Sequence, residues 1–347
     1  MKKNFWNIAS IIFVIIVFIF TIYMILKDGT ENFVSMISNI EYSWIIIGLI
    51  ATVIYWVLEG MCFHVITKKL YPKQKFYSCF RLAVIGRFFN NITPMSAGDQ
   101  PMQLMIMKNE GKTISDGASI LLTRFIVYQI ILVLYTIVIM LFKYTYFADM
   151  IDNLMFFAMI GFIFNIIVVL FLITIVINKT LISKLSEYCI RLLNKIKIIK
   201  NPEKKIEKIN ETIDEFQEQF KQMKNEKVII AKVAIYTIIE ITVLYSLNYI
   251  VYRALGNNIE SFWTIISAQA ILAMVTVYMP TPGAALAAEG GFYIIYSSYF
   301  ESSVIPIAVL LWRIYTFYLP IVVGMIIFFI KPKNINIQEN NTNKIDA

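Results

Sequence analysis

Histidine is nearly absent: His64 is the only one in 347 residues. Metal chemistry that rests on several imidazole ligands is therefore excluded. The three cysteines, Cys62, Cys79 and Cys189, fall in or beside apolar segments and show no CxxC spacing. They read as small buried apolar side chains, not as a disulfide or metal framework. Charge is scarce too. Asp, Glu, Lys and Arg make up 16% of the chain, against about a quarter in a soluble domain. One long hydrophilic section exists, 178–227, and no soluble domain of ordinary size fits outside the apolar segments. The sequence offers no nucleophile–base pair, no catalytic residue and no cofactor motif.

What fills the chain instead is apolar surface. Hydrophobic residues make up 59% and the mean hydropathy is +0.69. Several segments are long enough to cross a bilayer. The expectation is an all-α polytopic membrane protein with about six full spans and two re-entrant helical hairpins. The net charge of +8 comes from lysines gathered in a few loops. That is the pattern of cytoplasmic loops, not of a nucleic-acid binder.

The spans follow in order. The first is Phe5 to Leu26, retained rather than cleaved, because no small-residue cleavage site follows it. The second, Trp44 to Ile66, contains Glu59 and ends on Lys68 and Lys69. A hairpin follows, with arms Phe76 to Thr93 and Pro101 to Asn109. Span three, Ser115 to Phe142, carries Arg124. An external connection, Lys143 to Asp149, leads to span four, Met150 to Ile177. The fifth, Val228 to Tyr252, contains Glu240. A second hairpin has arms Ser261 to Met279 and a small-residue helix to Tyr299. The last span, Val304 to Ile330, carries Arg313 and closes on Lys331 and Lys333. Lysine placement puts both termini in the cytoplasm of a cell-membrane protein.

Within 178–227, Asn201-Pro202-Glu203 reads as a helix start. Ile206, Ile209, Ile213, Phe216, Phe220 and Met223 then form an amphipathic stripe. Two placements are open for this cytoplasmic insert. It lies on the anionic inner leaflet, or it pairs with the helix before it. The tail 334–347 is polar, so the transmembrane domain is expected over 1–333.

Two polar stretches interrupt the apolar pattern. The first, IGRFFNNITPMSAGDQP, holds Arg87, Asn90, Asn91 and Asp99 around Pro94, Gly98 and Pro101. The second, VYMPTPGAALAAEGGFY, holds Glu289 after Pro280, Pro282 and Gly283. Proline lacks a backbone donor and stops a helix. Broken backbone in lipid needs protein or a watery cavity over it. Both stretches therefore predict helix breaks inside protected polar sites.

The stretches also belong to a repeat. One unit runs Glu59, Thr93-Pro94, Asp99, Arg124, and the other Glu240, Thr281-Pro282, Glu289, Arg313. From Asp99 to Arg124 is 25 positions, and from Glu289 to Arg313 is 24. The units span about 44–142 and 228–330, and loop charge gives them opposite orientations. Inverted repeats of this kind build the midplane sites of secondary transporters. An ion at a helix centre costs about 2.5–3.5 kcal/mol on insertion scales, so Glu59, Glu240, Asp99, Glu289, Arg124 and Arg313 should face inward. Two roles suit them: holding a phosphate, which the guanidinium fork matches, or balancing one another as structural pairs, Asp99 with Arg124 and Glu289 with Arg313.

At these motifs the chain resembles the lysylphosphatidylglycerol synthase/flippase transmembrane region, the family of the membrane half of the multiple peptide resistance factor. The matching residues are GRFFNNITPMSAGDQP with Arg124, then PTPG, Glu289 and Arg313. Where family members commonly carry a double glycine, this chain reads Gly98-Asp99-Gln100. The resemblance implies binding and translocation of a phosphate-bearing lipid, lysylphosphatidylglycerol-like or polyprenyl-phosphate-like, and a link to antibiotic resistance. It equally carries an alternative, a phosphatidylglycerol lysyltransferase or other lipid-modifying enzyme. Full-length relatives have a soluble aminoacyltransferase domain after the membrane region, and these 347 residues contain none. Expected partners are anionic or phosphate-bearing membrane lipids, with a second copy of the chain or a separate synthase, and no nucleic acid.

Overall fold

The computed structural model describes residues 40–93, 96–150, 154–195, 201–276 and 285–330. The predicted first span, the polar tail, Pro94, Pro280, Pro282 and Gly283 lie outside the described residues. Helices make up most of the described residues: α1 (Tyr42–Leu70), α2 (Phe76–Ile92), α3 (Asp99–Asn109), α4 (Ile114–Met150), α5 (Leu154–Ile177) and α6 (Lys179–Lys195). After them come α7 (Pro202–Asn225), α8 (Lys227–Ala254), α9 (Phe262–Thr276), α10 (Ala285–Tyr296), α11 (Ile305–Arg313), a π-helical turn (Ile314–Tyr318) and α12 (Leu319–Phe329). Among the described residues five stretches are long and apolar enough to cross a membrane: Tyr42–Leu70, Ile114–Met150, Leu154–Thr174, Lys227–Ala254 and Ile305–Phe329. The protein is an all-α polytopic membrane protein.

α1 and α8 form the spine, packed along each other. They run antiparallel. Glu41 N–H donates to Ala254 O at one end (2.9 Å), and Lys69 Nζ meets Glu226 Oε1 at the other (2.6 Å). The spine passes through two apolar cores. One gathers Cys62, Phe63 and Ile66 with α2, α3 and the first half of α4. The other gathers Leu247, Val251 and Tyr252 with α5, α9, α10 and α11. Outward faces stay apolar, as at Ile46, Ile50 and Val53 on α1 and Phe156, Phe157 and Ile160 on α5. In a bilayer, lipid tails solvate such faces, so they need no protein cover.

The predicted hairpin arms are short helices. α2 has 17 residues and α9 has 15, about 25 and 22 Å at 1.5 Å per residue. α2 falls short of the roughly 30 Å of a hydrocarbon core, as does the described part of α9.

Three expectations are corrected. The external connection Lys143 to Asp149 is not a loop, because α4 continues through it to Met150. That stretch has no Gly or Pro to stop a helix, Phe147 is fully buried, and Lys143 Nζ donates to Thr264 Oγ1 (3.3 Å). Charge marks where a helix leaves lipid, not where it ends.

Pro101 is also not a break. It sits in the first turn of α3, whose N–H groups have no helical partner anyway. Lastly, α7 starts at Pro202 as predicted, yet Asn201 makes no side-chain cap. Its backbone is left-handed (φ 66°), a conformation asparagine tolerates.

The insert does pair with the helix before it. α7 packs on α6 and on α4. Ile213, Phe216 and Met223 are buried, and Ser119 Oγ donates to Phe216 O (3.4 Å). α6 keeps Leu181, Leu185, Tyr188 and Leu192 exposed.

Candidate functional site: a buried chain of arginines and glutamates

Four ionised side chains meet beside the spine. α1 supplies Glu59, α2 Arg87, α4 Arg124 and α8 Glu240. Arg87 Nε donates to Glu59 Oε2 (2.7 Å), and Arg87 Nη2 lies 3.7 Å from Glu240 Oε1. Arg124 Nη2 donates to Glu240 Oε2 (2.5 Å), and its Nη1 donates to Thr237 Oγ1 (3.2 Å). Acid and base therefore alternate: Glu59, Arg87, Glu240, Arg124.

Burial grades along this chain. Glu240 is fully buried, Arg124 nearly so, and the Arg87 side chain is 24% exposed. Arg87 is thus the most accessible member of the chain. Both guanidiniums lie over aromatic rings, Arg87 over Tyr55 and Arg124 over Tyr128, each 5.0 Å from the centroid. Such contacts favour arginine over lysine. The Cys62 thiol sits 3.9 Å from Thr237 Oγ1 and from Glu240 Oε2.

The pairing differs from the sequence expectation. Arg124 takes its carboxylate from Glu240 on α8, and not from Asp99. Asp99 opens α3, where its Oδ1 accepts from Gln100 N–H (2.6 Å). Arg313 does meet the predicted acid: its Nε lies 3.4 Å from Glu289 Oε1, with the guanidinium over Trp312 and Phe317. The two arginines, matched in spacing, have different surroundings.

The first polar stretch closes against the last span. Asn90 Nδ2 donates to Asn91 Oδ1 (3.2 Å), and Asn91 Nδ2 donates to Thr316 O (3.2 Å) and Phe317 O (3.3 Å). These carbonyls lie in the π-turn that directly follows Arg313. Pro320 lacks the N–H that would bond to Thr316 O four residues back. Asn91 supplies a donor in its place. Single π-turns of this kind are frequent at functional sites.

The break after α2 is held by one hydroxyl. Thr93 Oγ1 donates to Phe89 O (2.6 Å) and accepts from Gly98 N–H (2.8 Å). Ser96, within the turn, has a left-handed φ of 54°.

Sequence reasoning passed over several members. Tyr55 stands one turn before Glu59 and Tyr128 one turn after Arg124, a helical spacing that could have drawn notice. Asn248 had no such signal. Its Nδ2 donates to Gln269 Oε1 (2.5 Å) and Tyr296 OH (2.6 Å), joining α8, α9 and α10. Among the described residues no three His, Cys, Asp or Glu side chains converge as metal ligands would.

Comparison with known proteins bears on the whole chain. Residues 7–324 match the family model described as the lysylphosphatidylglycerol synthase TM region. A UPF0104 membrane protein of Archaeoglobus fulgidus is 23% identical over 302 residues, covering 84% of this chain and 88% of that one. No solved structure matches. A match of this extent takes in both polar stretches and both apolar cores, and the chain therefore belongs to the lysylphosphatidylglycerol synthase transmembrane-region family.

Proposed function

We propose that the protein binds a phosphate-bearing lipid at the Arg87–Arg124 cluster and carries it across the cytoplasmic membrane. The observation that carries this reading is the chain of four ions shared between α1, α2, α4 and α8. Ions inside a membrane bundle mark substrate or ion paths by default. Two guanidiniums facing one carboxylate form a pocket for a bridging anion, and arginine binds phosphate with two parallel donors. Arg87 and Asn90, both half-buried, form the open side, with the buried Asn91 behind them and Asp99 at the first helix break. The Arg313–Glu289 pair is a second station in the other unit.

The antiparallel spine supports the inverted repeat. Equivalent spans of two oppositely inserted units must run in opposite directions, as α1 and α8 do. In this reading α2–α3 and α9–α10 are re-entrant hairpins opening to opposite sides, and both termini are cytoplasmic. Cysteine labelling tests the orientation. A probe at Asn257 should react from outside the cell and one at Lys205 only from inside. The reverse pattern would remove the oriented repeat.

Lipid movement itself is tested with purified protein in liposomes carrying fluorescent phosphatidylglycerol. Protein-dependent exposure of inner-leaflet label to dithionite is expected without any aminoacyl-tRNA. Chemical modification of the lipid in the same vesicles would assign a transferase instead.

A further inference from the structure

The four ion-paired side chains are formally neutral together, Glu59 and Glu240 against Arg87 and Arg124, and the one further ionisable group within reach of Arg87 and Glu59 is another acid, Asp99. Glu240 already occupies the place of a bridging anion. Its Oε2 is held by Arg124, while Oε1 faces Arg87 Nη2 at 3.7 Å and accepts no hydrogen bond among the described residues. That oxygen belongs to a fully buried side chain. A phosphate entering between the arginines must therefore displace this carboxylate. It would also leave three anions against two cations, and an unpaired buried charge is strongly unfavourable.

The groups facing Glu240 limit the remedies. They are Arg124 and Tyr128 from α4, Arg87 from α2, and Glu59, Tyr55 and Cys62 from α1. α9 packs on α8 but contains no ionisable residue, and Arg313 at the end of α11 faces Glu289. Among these groups no further cation is present to balance the phosphate. A proton is the smallest remedy.

Resting on the reading of the site as a phosphate clamp, we propose that Glu240 is the resident counter-ion of both arginines and that phosphate binding is coupled to uptake of one proton by Glu240. The proton comes from solvent and forms an O–H bond on the carboxylate. Phosphate takes over the guanidinium donors, the neutral acid remains beside it, and the cluster keeps its net charge. The lipid phosphate thus enters together with a proton, so a pH gradient can drive its movement.

Calorimetry of the purified full chain in detergent tests this, with soluble dihexanoyl phosphatidylglycerol as the probe. Heats measured in two buffers of different ionisation enthalpy count the protons taken up. About one proton per lipid is expected, with affinity falling about tenfold for each pH unit raised. Glu240→Gln should bind without proton uptake and lose the pH slope. Wild-type binding without proton uptake would overturn the coupling and leave the clamp standing. Uptake of a full proton by Glu240→Gln would overturn it as well. Dimethyl phosphate, a phosphodiester with no proton of its own to gain near neutral pH, is titrated in parallel as the bare phosphate. Proton-linked binding of phosphate but not of the lipid keeps the counter-ion role and removes the lipid reading. No binding of either by folded wild type overturns both. If Glu240→Gln does not fold, the wild-type proton count decides alone.

Discussion

Arg124→Gln should destabilise the protein by about 3 kcal/mol and abolish lipid movement. The change leaves Glu240 fully buried without its 2.5 Å partner. Breaking a buried pair costs about 3–5 kcal/mol, mostly from the charge left behind. The lower end applies because Arg87 still lies 3.7 Å from Oε1. Combining Arg124→Gln with Glu240→Gln should recover most of the melting temperature, since two amides can bond to each other. Activity should not recover, because no permanent cation replaces the guanidinium. Combining Arg124→Gln with Asp99→Asn should recover neither, since Asp99 is not the partner. Melting temperatures and translocation rates of the three variants separate these cases. Full activity in the Arg124/Glu240 double variant would assign the pair to structure alone.

Gly98→Val should lower stability by about 3–5 kcal/mol and also block movement. The reason is space, not backbone conformation, because φ at Gly98 is −86°. A Cβ there would lie 2.6 Å from Thr93 Oγ1 and 3.0 Å from Phe89 O. Relieving that crowding costs about 1–3 kcal/mol. Moving Thr93 also loses its bonds to Phe89 O and from Gly98 N–H, at about 1 kcal/mol each. Thr93→Val keeps the shape and removes only the hydroxyl, so it should cost about 1 kcal/mol per lost bond. Equal melting temperatures for Gly98→Val and wild type would show that the break tolerates repacking.

Much of the architecture was legible because a bilayer imposes few options. Apolar length alone located the five described spans, since every backbone group in lipid must be bonded within a helix or barrel. Three of the four ions, Glu59, Glu240 and Arg124, were legible for the same reason, each conspicuous in an apolar run, whereas Arg87 stood among the residues of a polar stretch. Their partners were not. Spacing within a unit pointed Arg124 to Asp99, 25 positions earlier. Tertiary packing gave it Glu240, 116 positions later, because α8 packs on α4. A pairing made by two spans passing each other leaves no local trace. The π-turn after Arg313 had one legible cause, Pro320, but its acceptance of Asn91 depends on α2 packing against α12. The Asn248–Gln269–Tyr296 cluster arose likewise from three helices whose polar residues looked isolated in sequence.

Liposome translocation of fluorescent phosphatidylglycerol, comparing wild type with the folded Arg124→Gln/Glu240→Gln double variant, tests the central claim most directly. Wild type should expose inner-leaflet label to dithionite well above protein-free vesicles, and the double variant should not. Equal rates for the two proteins, or no movement by folded wild type, would contradict a lipid path through the arginine–glutamate cluster.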